Sequence, residues 1–231
     1  MKLSKRLQTI SNMIPNSYQH IWDTCCDHGF LGAELLKNHK AANIHFVDIV
    51  PDLMQQVEQQ LARFYPQSHL NETNNVTAKW HVHCIDVVKL PLEKYQGKQL
   101  IVIAGVGGDL MLKFVQQIQS HHAGIALDFI LCPVYQQFEL RQALSKMNMS
   151  LKHEELVEDK GRIYDVIYIS SQPPENQNQI IHPIGGYDWS NHQQDNIAER
   201  YLQQKVQHYR RMQTQNTLFN IEILEQLQAL R

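Results

Sequence analysis

The sequence lacks the features that mark a membrane or secreted protein. No stretch of its 231 residues approaches the roughly 18 to 20 uninterrupted apolar residues that a membrane-spanning helix requires. The first residues, M-K-L-S-K-R-L, do not lead into the apolar segment of a signal peptide. Four cysteines in a chain of this length, two of them adjacent, do not make a disulfide framework. We therefore expect a reduced, cytoplasmic protein that makes no membrane contact.

Strong charge of either sign is also missing. The net charge is −2, whereas phosphate binding usually leaves a basic footprint on a protein. Any such footprint must be local, and two places carry one: the N-terminal residues around Lys5 and Arg6, and the C-terminal residues around Arg210 and Arg211. The alternative interpretation of both places is an ordinary solvated helix face.

The sequence has no metal-binding pattern. Its four cysteines do not have the spacing of a zinc site, and its thirteen histidines are scattered along the chain. His81 and His83 would share one face of a strand, which is more typical of a packed or solvated pair than of metal ligands. We predict that no metal is bound.

Short apolar segments alternate with amphipathic ones through the first 170 residues. This alternation predicts a parallel, doubly wound α/β sheet, and the short connection 158–161 predicts an antiparallel hairpin at its edge. The predicted helices cover residues 3–14, 30–38, 51–64, 109–120 and 136–147. The predicted strands cover residues 19–23, 44–48, 78–85, 99–103, 127–132, 151–157 and 162–170. Residues 65–77 are predicted to form a polar loop.

Acidic residues end the first three predicted strands. These are Asp23, Asp48 and Asp86. Ligands of doubly wound sheets bind beyond the carboxyl ends of the strands, so we expect the three side chains to converge. In strand order, they could accept hydrogen bonds from an amino-acid ammonium, from ribose hydroxyls and from the amino group of adenine. Together they predict a site for S-adenosylmethionine, although each alone would be read as a helix cap or a solvated turn.

Two turns complete the predicted site. The turn after the first strand, T-C-C-D-H-G, lacks the Gly-x-Gly-x-x-Gly pattern, and the Asp27 carboxylate would repel a pyrophosphate, which disfavours NAD. Gly29 in that turn allows close approach of the backbone. After the fourth strand, Gly105, Gly107 and Gly108 leave backbone donors and space for a planar base, with a tight structural turn as the alternative.

The predicted elements divide the chain into three parts. By analogy, seven strands with an antiparallel edge are the arrangement of a Rossmann-like class I methyltransferase, expected over residues 1–170. Residues 171–190 are polar and contain prolines, which predicts a linker or long loop. Residues 191–231 are predicted to form a small helical, coiled-coil-like appendage. Its apolar stripe consists of Leu218, Ile221, Leu224, Leu227 and Leu230.

Several motifs together resemble one known family. L-S-K-R-L-Q-T-I at the N-terminus, then D-x-x-x-D-H-G, I-A-G-V-G-G and R-I-Y-D-V-I-Y-I are similar, in order and spacing, to the bacterial tRNA (adenine-22-N1)-methyltransferase family, TrmK. The resemblance covers nearly the whole chain, and its motifs are densest in the first 110 residues. It implies S-adenosylmethionine as the cofactor, tRNA as the partner and N1 of an adenine as the acceptor.

The chain departs from this family's pattern at three places. It has T-C-C where the family usually has I-G-S in the first turn. Ile85 and Val87 stand where glycines usually flank the third acid. After the fifth strand, Cys132, Pro133, Val134 and Tyr135 replace the usual Q-P-N, so that an aromatic ring able to stack on a base takes the place of an amide pair.

The chemistry of methyl transfer and the resemblance together assign roles to individual residues. Asp27 is the candidate catalytic residue, since its carboxylate would stabilise the positive charge that develops on the methylated base. His28 would orient Asp27 or contact the methionine carboxylate. The implied cofactor-binding residues are Asp23, Asp27, His28, Gly29, Asp48, Asp86 and Gly105. The implied base-facing residues are Gly107 and Gly108. Further substrate-binding residues are predicted from their own chemistry: Tyr135 by stacking on a base, and Lys5, Arg6, Arg210 and Arg211 by their charge.

Two other functions remain open at this point. The acceptor could be another nucleic acid or a small molecule, since the positive charge is weak and the segment after the fifth strand is altered. Alternatively, the chain could be a non-catalytic module that binds S-adenosylmethionine and tRNA. The sequence leaves the oligomeric state open.

Overall fold

Seven strands form one sheet in the order β3-β2-β1-β4-β5-β7-β6. In the computed structural model, residues 3–66, 78–187, 197–212 and 218–229 are described. The strands are β1 (Tyr18–Thr24), β2 (Ala41–Asp48), β3 (Lys79–Cys84), β4 (Gln99–Ala104), β5 (Leu127–Cys132), β6 (Ser150–Asp159) and β7 (Arg162–Ser170). β1 to β5 pair in parallel, and β7 runs antiparallel to both β5 and β6. This confirms the predicted seven-stranded, mostly parallel sheet.

Helices cover both faces of the sheet, as a parallel sheet requires. They are α1 (Lys5–Met13), α2 (Phe30–Lys37), α3 (Pro51–Phe64), α4 (Gly108–His121), α5 (Gln137–Lys146), α6 (Ile197–Met212) and α7 (Leu218–Ala229). Ile10, Leu35 and Met54 carry α1, α2 and α3 into one apolar core. Met111 and Leu144 carry α4 and α5 into the core on the other face.

The ends of these elements follow local chemistry. Ser4 caps α1 by accepting a hydrogen bond from the Leu7 amide, at 3.4 Å. Pro51 opens α3 at a position where proline loses no helical hydrogen bond. Between β3 and β4, the chain makes two 3₁₀ turns, Val87–Lys89 and Leu92–Lys94. Most of the predicted loop 65–77 lies outside the described residues.

The C-terminal helices build a third apolar core against α5 and the edge hairpin. Phe138 of α5 packs there with Tyr201 and Val206 of α6. Leu224 and Leu227 of the predicted stripe are buried in this core, whereas the side chains of the other stripe positions lie outside what the structure describes. A coiled coil therefore stays a prediction.

Part of the predicted linker is packed against the sheet. Ile181 is buried, and the Gly186 amide donates to Glu154 at 2.6 Å. The Arg141 guanidinium donates to Tyr187 Oη at 2.8 Å and, through Nε, to Asp165 at 2.7 Å. These contacts tie residues 181–187 to the edge hairpin. Residues 188–196 lie outside the described ranges, and the division into three parts stays a prediction.

None of the helices in the described part of the chain combines the length and the apolar character that crossing a bilayer requires.

Candidate active site

Asp23 is a buried carboxylate at the end of β1. Its Oδ2 accepts a hydrogen bond from the Gly32 amide at 2.8 Å, and Oδ1 has no protein partner among the described residues. Burial raises the pKa of Asp23 to about 7, helped by the nearby charge of Asp48, although the Gly32 amide opposes the shift. A cationic ligand group at the free oxygen would offset this cost of ionisation.

Asp48 and Asp86 end the next two strands. Asp48 Oδ1 accepts from the amides of Ile49 and Val50, at 2.8 and 3.2 Å, and Oδ2 accepts from the Asp27 amide at 3.2 Å. Asp86 caps the following 3₁₀ turn by accepting from an amide, that of Val88, at 3.1 Å through Oδ1. Its Oδ2 has no partner within the described ranges.

The turn after β1 is held in an uncommon backbone conformation. Cys25, Asp27 and Gly29 have positive φ angles of 53°, 50° and 69°. Such conformations are costly for non-glycine residues and cluster at functional sites. At Gly29 a side chain is disfavoured for two reasons: its φ is positive, and a Cβ would lie 3.1 Å from the Phe46 ring, which is a tight contact. The turn therefore lies close to the sheet edge.

Two cavities adjoin along this edge. One, of about 150 Å³, is lined by Asp48, Asp86 and Phe114, and the other, of about 410 Å³, is lined by Asp23 and Asp27. Cys25 lines both. We refer to the two together as the cleft. The three strand-end acids thus lie along one cleft, with Asp23 toward one end and the other two toward the opposite end.

The cysteines of this region are ordinary thiols. Burial is the main cause that raises the pKa of Cys25 to about 12, raises that of Cys26 further, and raises that of Cys132 to about 12. They are therefore protonated at neutral pH and poorly suited to nucleophilic or metal chemistry. No group of three or more histidine, cysteine or acidic residues in the described ranges could hold a metal ion.

The loops after β4 and β5 are joined by backbone hydrogen bonds. Gly105 donates to the Cys132 carbonyl at 3.3 Å, Val134 to the Val106 carbonyl at 3.0 Å, and Gly108 to the carbonyl of residue 135 at 3.0 Å. These bonds make one platform, residues 105–108 and 132–135, at the edge of the cleft. We call it the acceptor platform.

The platform's surface differs from the sequence expectation. The space over Gly107 is filled by the ring of Tyr135, which a Cβ at that position would meet directly. A Cβ at Gly108 would meet the carbonyl oxygen of Gln136. These glycines therefore permit the two loops to pack together, and Tyr135, a residue that is 56% exposed, is the flat surface that faces solvent. Gly105, with φ of 89°, lines the larger cavity.

The predicted basic residues separate into two kinds. Arg6 lines the cleft: its Nη1 lies 4.0 Å from where a Cβ on Gly105 would be, and its guanidinium carbon lies 5.0 Å from the centre of the Tyr164 ring. Its Nε is buried without a hydrogen-bond partner in the described part of the chain. Lys5, Arg210 and Arg211 are exposed on their helices and do not line the two cavities of the cleft.

Asp27 and His28 lie at the mouth of the cleft. His28 Nε2 is 3.6 Å from Asp27 Oδ1, too far for a direct hydrogen bond. Their side chains are 46% and 70% exposed, respectively for His28 and Asp27. The two side chains are adjacent, as orientation of Asp27 by His28 requires. Asp27 would be shielded from water only if a bound substrate covered it.

Sequence reasoning missed the apolar rim and a second groove. Phe30, Ile49, Val50 and Leu110 are large apolar side chains that remain exposed in the loops and helix starts after β1, β2 and β4. A second groove, of about 540 Å³, lies beside the cleft. It shares four residues with the cleft cavity that Asp23 lines, namely Arg6, Leu7, Asp27 and Phe30, and it is also lined by Tyr65, Lys160 and Tyr164. The sequence does show large apolar residues directly beside the strand-end acids. Exposed apolar side chains at a loop tip indicate a surface that a ligand or partner covers.

Residues 3–167 match the family model described as a methyltransferase domain. The chain belongs to this family. The match spans all seven strands except the end of β7, together with every segment that lines the cleft. The predicted class I methyltransferase fold is thereby confirmed.

One curated relative is the tRNA (adenine(22)-N(1))-methyltransferase of Bacillus subtilis (strain 168). It is 27% identical to this chain over 168 residues, which are 72% of this chain. The aligned part spans 64% of the Bacillus enzyme, less than two thirds of its length.

Several solved structures share the fold of this chain. M. capricolum TrmK, in complex with S-adenosyl-homocysteine, is 18% identical, with a TM-score of 0.73 over 100% of this chain and 97% of that one. The Streptococcus pneumoniae protein Sp1610, in complex with S-adenosyl-L-methionine, is 16% identical, with a TM-score of 0.76 over 99% of each chain. The resemblance to TrmK that the motifs indicate is confirmed. At these low identities, the solved structures show a shared fold and nothing more.

Proposed function

We propose that this methyltransferase transfers a methyl group from S-adenosylmethionine to N1 of an adenine in tRNA, at the position equivalent to 22. The observation that carries the proposal is the cleft, in which three strand-end carboxylates lie beside an exposed aromatic platform. The name of the Bacillus relative supports the choice of acceptor. The protein would act in the cytoplasm, where tRNA is found.

The residues of the cleft suit the proposed cofactor. Asp23 has a free carboxylate oxygen for an ammonium group, at the end of the cleft that adjoins the platform. Asp48 and Asp86 line the other cavity, where they would accept hydrogen bonds from ribose hydroxyls and from the adenine amino group. When bound, S-adenosylmethionine supplies an electrophilic methyl group on a sulfonium. Gly105 leaves the cavity that it lines free of a side chain.

The protein's contribution to the reaction is mainly alignment. Neutral adenine N1 is a lone-pair nucleophile, so no side chain has to remove a proton before attack. Tyr135 would stack on the base and hold it against the cleft, and such alignment is worth about 7 to 11 kcal/mol in well-oriented systems. The Asp27 carboxylate would stabilise the cationic product once the base shields it from water.

The groove beside the cleft offers a path for the RNA chain. A paired adenine has to leave its stack before N1 is accessible, and its neighbours then need a surface to rest on. Phe30, Tyr65 and Tyr164 line the groove, with Arg6 at its junction with the cleft and Lys160 at its edge. Lys5, Arg210 and Arg211, being exposed, are proposed to contact tRNA phosphates farther from the reacting base.

A methylation assay with mapped product tests the proposal. The protein is incubated with labelled S-adenosylmethionine and an unmodified tRNA transcript, and nucleosides are analysed by mass spectrometry. A matched transcript with guanine in place of adenine 22 is the control. We expect N1-methyladenine only with the first transcript. If the protein binds the cofactor but forms no N1-methyladenine across a complete tRNA pool, tRNA adenine is not its acceptor.

A different acceptor is the second candidate, and one observation favours it. The Tyr135 ring occupies the space that Gly107 would otherwise leave open, so the platform presents a phenol instead of backbone donors. A screen of other RNAs and of small aromatic acceptors, read by label transfer, separates this candidate from the first.

A further inference from the structure

The start of α5 lies between the acceptor platform and the C-terminal helices. Tyr135 leads through Gln136 directly into α5, whose first residue is Gln137. Gln136 has φ of 58°, a left-handed conformation that is uncommon outside glycine and must be held by its surroundings. The position of the Tyr135 ring therefore depends on what holds the residues on either side of Gln136.

On one side, the β4 loop holds this corner. The Gly108 amide donates to the carbonyl of Tyr135 at 3.0 Å, and the Asp109 amide lies 3.4 Å from the side-chain oxygen of Gln136. The Val134 amide donates to the loop's Val106 carbonyl at 3.0 Å. These contacts fix the platform from the catalytic side.

On the other side, α6 holds the first turn of α5. Lys205 Nζ donates to the side-chain oxygen of Gln137 at 2.9 Å, and it lies 5.9 Å from the centre of the Phe138 ring and 5.0 Å from that of Tyr201. The hydroxyl of Tyr209 donates to Glu139 Oε1 at 3.4 Å. Three consecutive residues of α5 are thus each contacted from α6.

The Lys205 contact is costly to lose. Its amine is largely buried, and burial lowers its pKa despite the nearby charges of Asp165 and Glu139. A buried ammonium requires hydrogen-bond and cation–π partners, which here are Gln137 and the rings of Phe138 and Tyr201. Tyr201 lies on α6 with Lys205, so movement of α6 away from α5 would cost the ammonium its two α5 partners, Gln137 and Phe138. Loss of these contacts opposes separation of the two helices.

We propose that α6, through Lys205, is a positioning element of the acceptor site: it fixes the first turn of α5 and with it the Tyr135 ring. The C-terminal helices then contribute to methyl transfer itself, beyond any contact that they make with RNA. This inference rests on the proposed function in so far as Tyr135 is the surface that holds the acceptor.

Amide hydrogen exchange tests the structural half without any acceptor. Lys205→Met keeps the apolar stem and removes the ammonium. We expect exchange at Val134 and Gly108 to become about 10-fold faster, as local opening of the corner becomes easier by about 1.4 kcal/mol. The control is Arg200→Gln, which removes an exposed pair with Glu158 from the same helix and should leave both amides unchanged. Unchanged exchange in Lys205→Met overturns the inference, whatever the acceptor is.

Kinetics with a double-mutant cycle test the functional half. With the shortest RNA that the wild type methylates, Lys205→Met should lower kcat about 10- to 100-fold, with little change in KM or in cofactor affinity. In a Tyr135→Ala background the same change should cost little more, because the two residues act through one another. A rise in KM alone, or full additivity of the two losses, would overturn the positioning role. Failure of the proposed function would instead appear as a wild type that methylates no tRNA while the exchange result still stands.

Discussion

The strands β1, β2 and β3 carry two clusters of titratable side chains with opposite properties. At their carboxyl ends are the acids Asp23, Asp48 and Asp86. Within the strands, on the face that also carries Trp22, lies a histidine cluster made of His20, His45, His81 and His83. Both clusters are at least partly buried, yet only one of them borders the cleft.

The histidines hydrogen-bond to one another in a single direction. His20 Nε2 lies 3.1 Å from the Gln96 carbonyl and must donate to it, which leaves its Nδ1 as an acceptor. His45 Nε2 therefore donates to His20 Nδ1 at 3.1 Å, and His83 Nε2 donates to His45 Nδ1 at 3.0 Å. An added proton on either accepting nitrogen would turn two N–H groups toward each other. The chain is thus built from neutral rings.

The comparison shows how buried polar groups can be assigned to structure or to function. Most ring nitrogens of the His20–His45–His83 chain have hydrogen-bond partners within the protein, so the cluster requires no ligand. Asp23 and Asp86 each keep one carboxylate oxygen without a partner among the described residues. Both carboxylates line the cleft, so these free oxygens are where the donor groups of a ligand would bind.

The largest expected effect is on cofactor affinity at Asp23. Asp23→Asn should weaken S-adenosylmethionine binding about 100-fold, because an ammonium loses a buried, charged partner. The stability of the ligand-free protein at pH 8 should not fall, since the variant no longer has to ionise a buried carboxyl there. Calorimetric titration and thermal unfolding measure the two effects. Glu58→Gln, exposed on α3, is the matched control. An affinity within threefold of the wild type would remove Asp23 from the site.

The histidine cluster should affect the response to acid instead. Burial is the main cause that lowers the pKa of His45 to about 2 and that of His83 to about 4, both from 6.5. Below about pH 6.5 the unfolded chain therefore binds more protons than the folded one, and the free energy of unfolding falls as pH falls. Each histidine that stays neutral contributes a slope of roughly 1.4 kcal/mol per pH unit.

Replacing one histidine isolates its contribution to the pH dependence of stability. His83→Phe removes one titrating group, so the slope between pH 6.5 and pH 5 should become shallower by up to that amount, while cofactor affinity stays unchanged. Urea unfolding at several pH values measures it, with His153→Phe, exposed on β6, as the control. An identical slope in His83→Phe and the wild type would contradict the assignment. Asp23 works in the opposite direction, because its raised pKa makes the folded protein lose stability as pH rises from about 4 to about 7.

The smallest expected effect is at Asp86. One of its oxygens already accepts from the Val88 amide, so the cofactor would gain a single further hydrogen bond there. Asp86→Asn should weaken S-adenosylmethionine binding about 10-fold, corresponding to a net hydrogen bond of roughly 1.4 kcal/mol. Measuring affinity for adenosine alone should show the same ratio. If Asp86→Asn lost more affinity than Asp23→Asn, the proposed ranking, in which Asp23 contributes more to cofactor binding than Asp86, would be wrong.

The acid cluster could be predicted from the sequence, whereas the histidine cluster could not. Asp23, Asp48 and Asp86 each follow an apolar segment, and the topology of a parallel sheet alone brings such residues to one edge. The link from His83 through His45 to His20 depends on the relative register of three strands, which periodicity does not give. Histidine spacing of two residues showed a shared face and nothing about the neighbouring strands.

The acceptor side shows the same limit. Three glycines in four positions indicated a close approach, but the sequence could not tell whether a ligand or another loop comes close. At Gly107 it is the Tyr135 ring from the neighbouring loop. Arg6 was predicted by its charge to contact RNA, but the sequence could not show that its position on α1 turns it into the cleft beside Gly105. Both outcomes are set by packing between segments about 30 and 100 residues apart.

The position of Cys25 has a consequence for the size of molecule that the cleft can take. This residue lines both cavities of the cleft. Cys25 is the one residue, among those described, that the two linings share, so the size of its side chain bears on whether one ligand can occupy both cavities. A bulky residue there, such as Phe, would divide one elongated compartment into two short ones, each able to admit a fragment such as adenosine or methionine but not the two joined.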